Sequence, residues 1–147
     1  MQYLVIFISL LQGATATSVK QRQATQAEVT SFAARTNLYG DGASIVYDLE
    51  IPGLVDTHCA YSDTTSGSKL PALQLTFCDD SAVTWYFHQD PVRGGHYRIN
   101  IIYTPVTGPA TGYFHDWQES DFPEMLVDSA SETAYVGEPK FFLDISS

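Results

Sequence analysis

Five carboxylates crowd one short stretch of the chain: Asp116, Glu119, Asp121, Glu124 and Asp128. Two carboxyls at a fixed separation across a sugar cleft hydrolyse glycosidic bonds, which makes this run a candidate for that chemistry. Trp117 and Phe122 stand among the acids. Such rings stack on sugars, although anchoring a core is their commoner role. The run fits a solvated loop that keeps the protein soluble equally well. Four histidines, His58, His88, His96 and His115, are the other chemically capable group. His88 and His96 flank a turn, so on a hairpin both project from one sheet face, with Asp90 nearby. Imidazoles on adjacent strands bind zinc or copper, but a structural site takes four protein ligands and only two are placed here. Polar-face histidines explain the same residues, and no metal or cofactor is expected. The chain has no Gly-x-Ser-x-Gly elbow, no His-Glu-x-x-His and no phosphate-cradling glycine loop, so no catalytic residue is assigned.

The two cysteines belong to a different argument. Leu4 to Leu11 is apolar except for Ser9, and Gly13-Ala14-Thr15-Ala16 follows with the small-x-small pattern that signal peptidase reads. Eight residues of helix rise about 12 Å, against roughly 30 Å of bilayer hydrocarbon. Residues 1–16 therefore read as a secretory signal peptide cleaved after Ala16, not as a membrane anchor. Residues 17–27 are polar and aperiodic and read as a flexible N-terminal arm, with Lys20-Gln21-Arg22 a solvated basic patch. Cys59 and Cys78 then lie in the exported part, where oxidation is allowed and a pair most simply forms one bridge. The alternative is two free thiols buried in strands. No Asn-x-Ser/Thr acceptor is present, so N-glycosylation is not expected.

The elements that must position these groups are short strands between turns. In residues 43–51, Ala43, Ile45, Tyr47, Leu49 and Ile51 alternate with polar residues, broken only by Val46 and ended by Pro52-Gly53. Residues 71–77 put Leu73, Leu75 and Phe77 on one face. Val83, Trp85 and Phe87 alternate likewise, as do Tyr97, Ile99, Ile101 and Tyr103, and the turn at residues 90–95 between them predicts a hairpin. Residues 105–112 read as a break, Met125-Leu126-Val127 as a short strand and residues 141–145 as a closing strand. Residues 29–38 offer a first strand with poor alternation. Short strands at this spacing predict a single all-β domain over residues 28–147, an antiparallel β-sandwich or β-barrel with one disulfide.

Composition bounds the partners. The chain of 147 residues is 44% hydrophobic and 16% charged, which excludes a disordered acidic tail. Seven basic against seventeen acidic residues leave a net charge of −10. That balance argues against nucleic acid, whose phosphates demand clustered basic groups, and against an anionic membrane surface.

The segment from Cys59 to Tyr103 narrows the field. It runs from Cys59 through a polar turn and an alternating strand to Cys78. Asp79-Asp80-Ser81 and Val83-x-Trp85-x-Phe87 follow, then the 90–95 turn and a second alternating strand. This pattern, with compatible flanks over residues 43–122, resembles the family of the major Alternaria allergen, small secreted fungal proteins of β-sandwich or β-barrel form. The resemblance implies a non-enzymatic protein, allergen-like or effector-like, detected by or acting on a plant host. Two departures stand out. No cysteine follows Cys78, where the family pattern has a second disulfide. None precedes Cys59 either, so a covalent dimer is not supported.

The expectation is a secreted effector-like or allergen-like protein that binds a host or cell-wall protein or other cell-wall partner. Two other classes compete with it. One is a small secreted carbohydrate-active enzyme using the Asp116–Asp128 region, which needs two carboxyls converging in a cleft. The other is a carrier of a small apolar ligand, which needs an apolar cavity lined by Phe87, Tyr97 and Tyr103.

Overall fold

Alternation along each long strand decides which residues the fold hides. In the computed structural model, which describes residues 26–37, 41–90 and 96–147, β2 (Ala43–Ile51) buries Ala43, Ile45, Tyr47, Leu49 and Ile51 and turns Asp48 and Glu50 outward. β5 (Val83–Asp90) buries Val83, Trp85 and Phe87, and β6 (His96–Tyr103) buries Tyr97, Ile99 and Ile101. The two pair antiparallel from Val83 opposite Tyr103 to Asp90 opposite His96, as the hairpin reading requires. The expected signal peptide (residues 1–16, cleavage at Ala16), residues 17–25 of the expected arm and residues 91–95 of the turn lie outside the described residues. Ala27, at the end of that arm, is buried, and its carbonyl accepts the Leu143 N–H at 2.9 Å.

Three further strands show why a simple alternation count falls short. β1 (Glu28–Thr36) buries Val29, then Phe32, Ala34 and Thr36. The phase changes because its register against β2 shifts between Thr30 and Ala33, where Ser31 sits at φ 54°. One extra residue at a β-bulge sends every later side chain to the other face, which accounts for the poor alternation. The 71–77 segment departs from expectation for a related reason. Leu73 donates to the Phe87 carbonyl at 2.7 Å, while Thr76 stands opposite Trp85 and Phe77 opposite Thr84. Three steps along this segment thus match two along β5, and the face flips. Leu73 is buried, Leu75 and Phe77 are exposed, and only β4 (Thr76–Phe77) is strand. β3 (Val55–Ser62) has no counterpart among the expected strands, since Thr57 and Cys59 fill two of its inward positions and carry little hydrophobic signal.

The expected break at 105–112 is shorter than its composition suggests, because β7 (Thr111–Trp117) begins inside it. Gly112 belongs to the strand, and a Cβ there would stand 3.2 Å from the Ser146 side chain. A glycine that reads as punctuation is here a place of close backbone approach. β8 (Glu124–Val127) confirms the short strand at Met125 to Val127 and pairs with β9 (Ala130–Thr133). Asp128 and Ser129 join them at φ 47° and 71°, the two left-handed residues of a tight hairpin turn. The closing segment is two strands, β10 (Phe141–Phe142) and β11 (Asp144–Ile145).

The fold is an all-β antiparallel sandwich, not a closed barrel. One sheet has the order β10-β1-β2-β3 and the other β11-β7-β6-β5-β4, with β8-β9 a separate hairpin. Rings from the two inner faces meet in the core: Tyr47 lies edge-on to Trp85 at 5.2 Å, and Phe32 packs on Trp117 at 4.9 Å. Full burial of such side chains contributes roughly 1.5–3 kcal/mol each. Two seams join the sheets at opposite edges. Cys59 on β3 is bonded to Cys78 just beyond β4, with Cα atoms 4.3 Å apart. At the far edge the C-terminal segment passes from β1 (through β10) to β7 (through β11), with Leu143 buried at the crossing.

Candidate functional site

The five carboxylates of the acidic run are given separate work. Asp116, on the outer face of β7, receives two hydrogen bonds from Arg98 on β6, both at 2.6 Å. The guanidinium also lies over the Phe114 ring at 4.8 Å. The bidentate geometry pushes the Arg98 pKa up and commits Asp116 to the sheet surface. Asp121 accepts the Gln118 N–H at 3.2 Å and closes the 3-10 turn Glu119–Asp121. Asp128 belongs to the β8-β9 turn. Of the five, Glu119 and Glu124 line one cleft.

That cleft has a volume of about 420 Å³ and opens where the 3-10 turn and the β8-β9 hairpin meet the ends of β5 and β6. Gln89, Lys69, Tyr97 and Phe122 line it together with the two glutamates. Its two rings belong to a continuous aromatic cluster: Tyr97 lies against Phe122 at 4.3 Å, Phe122 edge-on to Trp117 at 5.5 Å, and Trp117 against Phe32 at 4.9 Å. Trp117 and Phe122 are therefore core anchors. Tyr97 is only 8% exposed, and its hydroxyl makes no hydrogen bond among the described residues. Burial first, and then the fields of Glu119 and Glu124, push its phenol pKa up. Among the described residues neither glutamate is in an ion pair, and neither is Lys69.

The interior holds packed rings where a carrier would need a void. Phe87 stacks on Tyr97 at 5.6 Å and meets Phe122 at 5.9 Å, and Tyr103 packs half-buried at the core's margin. The histidines do not converge either. His58 pairs with Asp48 at 2.8 Å on an exposed face. His88 and His96 share the outer face of their sheet, as their spacing suggests, but stand opposite Arg98 and Asp90 respectively. His115 stacks on Phe141 at 4.3 Å, and desolvation lowers its pKa. Among the described residues no three His, Cys, Asp or Glu side chains are placed to hold a metal ion.

Lys69 reaches the cleft from a loop that one carboxylate organises. Asp63 accepts hydrogen bonds from the Tyr61 hydroxyl (2.7 Å), the Ser66 hydroxyl (2.6 Å) and the N–H groups of Ser66 (2.9 Å), Thr65 (3.2 Å) and Ala43 (3.2 Å). Beyond it, the Thr133 hydroxyl donates to the Ser68 carbonyl at 2.6 Å and ties the loop to β9. The bonds from Ser66 and Tyr61 hold the Asp63 carboxyl far below the usual carboxylate range. Its folded pKa being lower than its unfolded one, Asp63 stabilises the fold above about pH 4 and that contribution fades as pH falls further. Asp63→Ala is expected to lower the melting temperature by a few degrees at neutral pH and by less at pH 3. An equal loss at both pH values in thermal melts would show that ionised Asp63 is not what holds the loop.

Comparison with known proteins found no matching family model, no significantly similar curated protein and no significantly similar solved structure. The cleft therefore has to be read from its own chemistry. Sequence reasoning named Glu119 and Glu124 but not Lys69, Gln89 or the outward role of Tyr97. An aromatic at an inward strand position carries no signal that its polar tip reaches a surface cleft.

Proposed function

We propose that this chain is a small secreted non-enzymatic protein, effector-like or allergen-like, that binds a host or cell-wall partner through the cleft between the 3-10 turn and the β8-β9 hairpin. The observation that carries this reading is the Tyr97 hydroxyl, left without a hydrogen-bond partner among the described residues while its ring packs on Phe122, in a cleft also lined by two carboxylates outside any ion pair. Preorganised polar groups in a concave site are what recognition needs, since little ordering cost remains to be met on binding. The leader-like residues 1–16, the Cys59–Cys78 bridge and the resemblance to the family of the major Alternaria allergen support an extracellular setting.

A second reading, hydrolysis of a cell-wall polysaccharide, draws on the fact that Glu119 and Glu124 share one cleft. Both readings meet in a single variant, Glu119→Gln with Glu124→Gln. Asp121 is left intact because it closes the turn. The binding reading expects an unchanged melt, no hydrolysis of cell-wall polysaccharides by the wild type, and retention on cell-wall material or host extracellular protein weakened about tenfold or more in the variant. Hydrolysis by the wild type that the variant loses would replace binding with catalysis.

A further inference from the structure

We infer that the cleft recognises the protonated amine of an amino sugar; this rests on the binding reading of the same cleft. Three acceptors meet there: the carboxylates of Glu119 and Glu124 and the hydroxyl of Tyr97. A phosphate or carboxylate ligand would face two glutamates against one cation, Lys69, on a chain whose net charge is −10. A neutral hydroxyl brings one proton to three acceptors. A primary ammonium brings three N–H donors and no acceptor, one for each member of the set. Charge-assisted bonds of this kind are also the stronger ones. All three residues line the same cleft, and the Tyr97 hydroxyl has no hydrogen-bond partner among the described residues.

The rest of the cleft selects a ring over a bare alkyl chain. Its volume of about 420 Å³ lies in the range of small-molecule sites and exceeds what a single lysine side chain fills. Gln89 offers an amide and Ser120 a hydroxyl, both donor and acceptor, to the ring hydroxyls. The Thr133 hydroxyl, also on the lining, is already engaged with the Ser68 carbonyl. The overall negative field would draw a polycationic glycan toward the cleft, with a rate that falls as salt rises.

Calorimetric titration with a glucosamine tetramer, its fully N-acetylated counterpart and tetralysine tests this, at low salt and about pH 6, where glutamates are ionised. The glucosamine tetramer is expected to bind, and the acetylated one to bind about tenfold more weakly or not at all. Glu119→Gln and Glu124→Gln should each weaken binding by about tenfold, and Tyr97→Phe by a few-fold. Asp56→Asn, which removes the same charge from an exposed position on β3, should leave binding unchanged. Equal binding of the acetylated tetramer would overturn the ammonium assignment, as would an Asp56→Asn loss matching that of Glu124→Gln. Tetralysine binding as tightly as the glucosamine tetramer would overturn the sugar. If no glucosamine tetramer binds while the double glutamine variant still loses the cell-wall partner, the ligand class fails and the binding reading stands. If that variant keeps the partner, the binding reading fails as well.

Discussion

Replacing Cys59 and Cys78 together with alanine is expected to lower the unfolding free energy by about 3 kcal/mol and the melting temperature by roughly 10 °C. The two cysteines are 19 residues apart in sequence and bind the edge strand of one sheet to the edge of the other. Without the bond the unfolded chain regains the entropy of an open loop, while β4, only two residues long, loses its covalent hold on β3. Alanine is the cleaner choice, because a serine hydroxyl at the fully buried position 59 would add its own desolvation cost. Urea unfolding at equilibrium checks it. A loss below about 1 kcal/mol would mean that core packing already closes this seam.

The opposite seam has backbone hydrogen bonds and packing in place of a disulfide, and there Leu143→Ala is expected to cost about 2–5 kcal/mol. Leu143 is 2% exposed at the point where the C-terminal segment leaves β1 for β7. Its neighbour Ile145 is 62% exposed, so Ile145→Ala should stay within about 0.5 kcal/mol. Chemical denaturation of the pair separates two accounts. A large effect at 143 with none at 145 marks the crossing as a core element. Similar small effects at both would mean that the segment is a loosely attached tail.

Much of the fold is legible in the residues. β2, β5 and β6 keep a period of two, which in β2 only the outward Val46 obscures, and their buried faces follow from it. What escapes is any place where one residue too many shifts the phase. Ser31 does this inside β1, and the segment before Thr76 does it against β5. No local pattern announces either, since a bulge is defined by the partner strand. Gly112 and Cys59 escape for another reason: their side chains contribute little apolar signal, yet their positions are required by a neighbouring backbone and by a bond across the sheets.

The cleft was legible only in part. The acidic run is plain in the sequence, but its members are sorted by contacts made far away along the chain. Arg98 claims Asp116 across a strand pair, and the Gln118 amide claims Asp121, leaving Glu119 and Glu124 for the cleft. Lys69 and Gln89 arrive from separate loops and strand ends, and Tyr97 reads as core because most of it is core. A site assembled from that many segments has no spacing for a motif to record.

Whether the protein binds through this cleft is tested most directly by following its backbone amide resonances while solubilised cell-wall fragments are titrated in. The account predicts that shifts concentrate at Gln89, Tyr97, Glu119, Ser120 and Glu124, with the Arg98–Asp116 face and β3 unmoved. Saturable shifts confined to that outer face or to β3, with the cleft resonances unchanged, would contradict it.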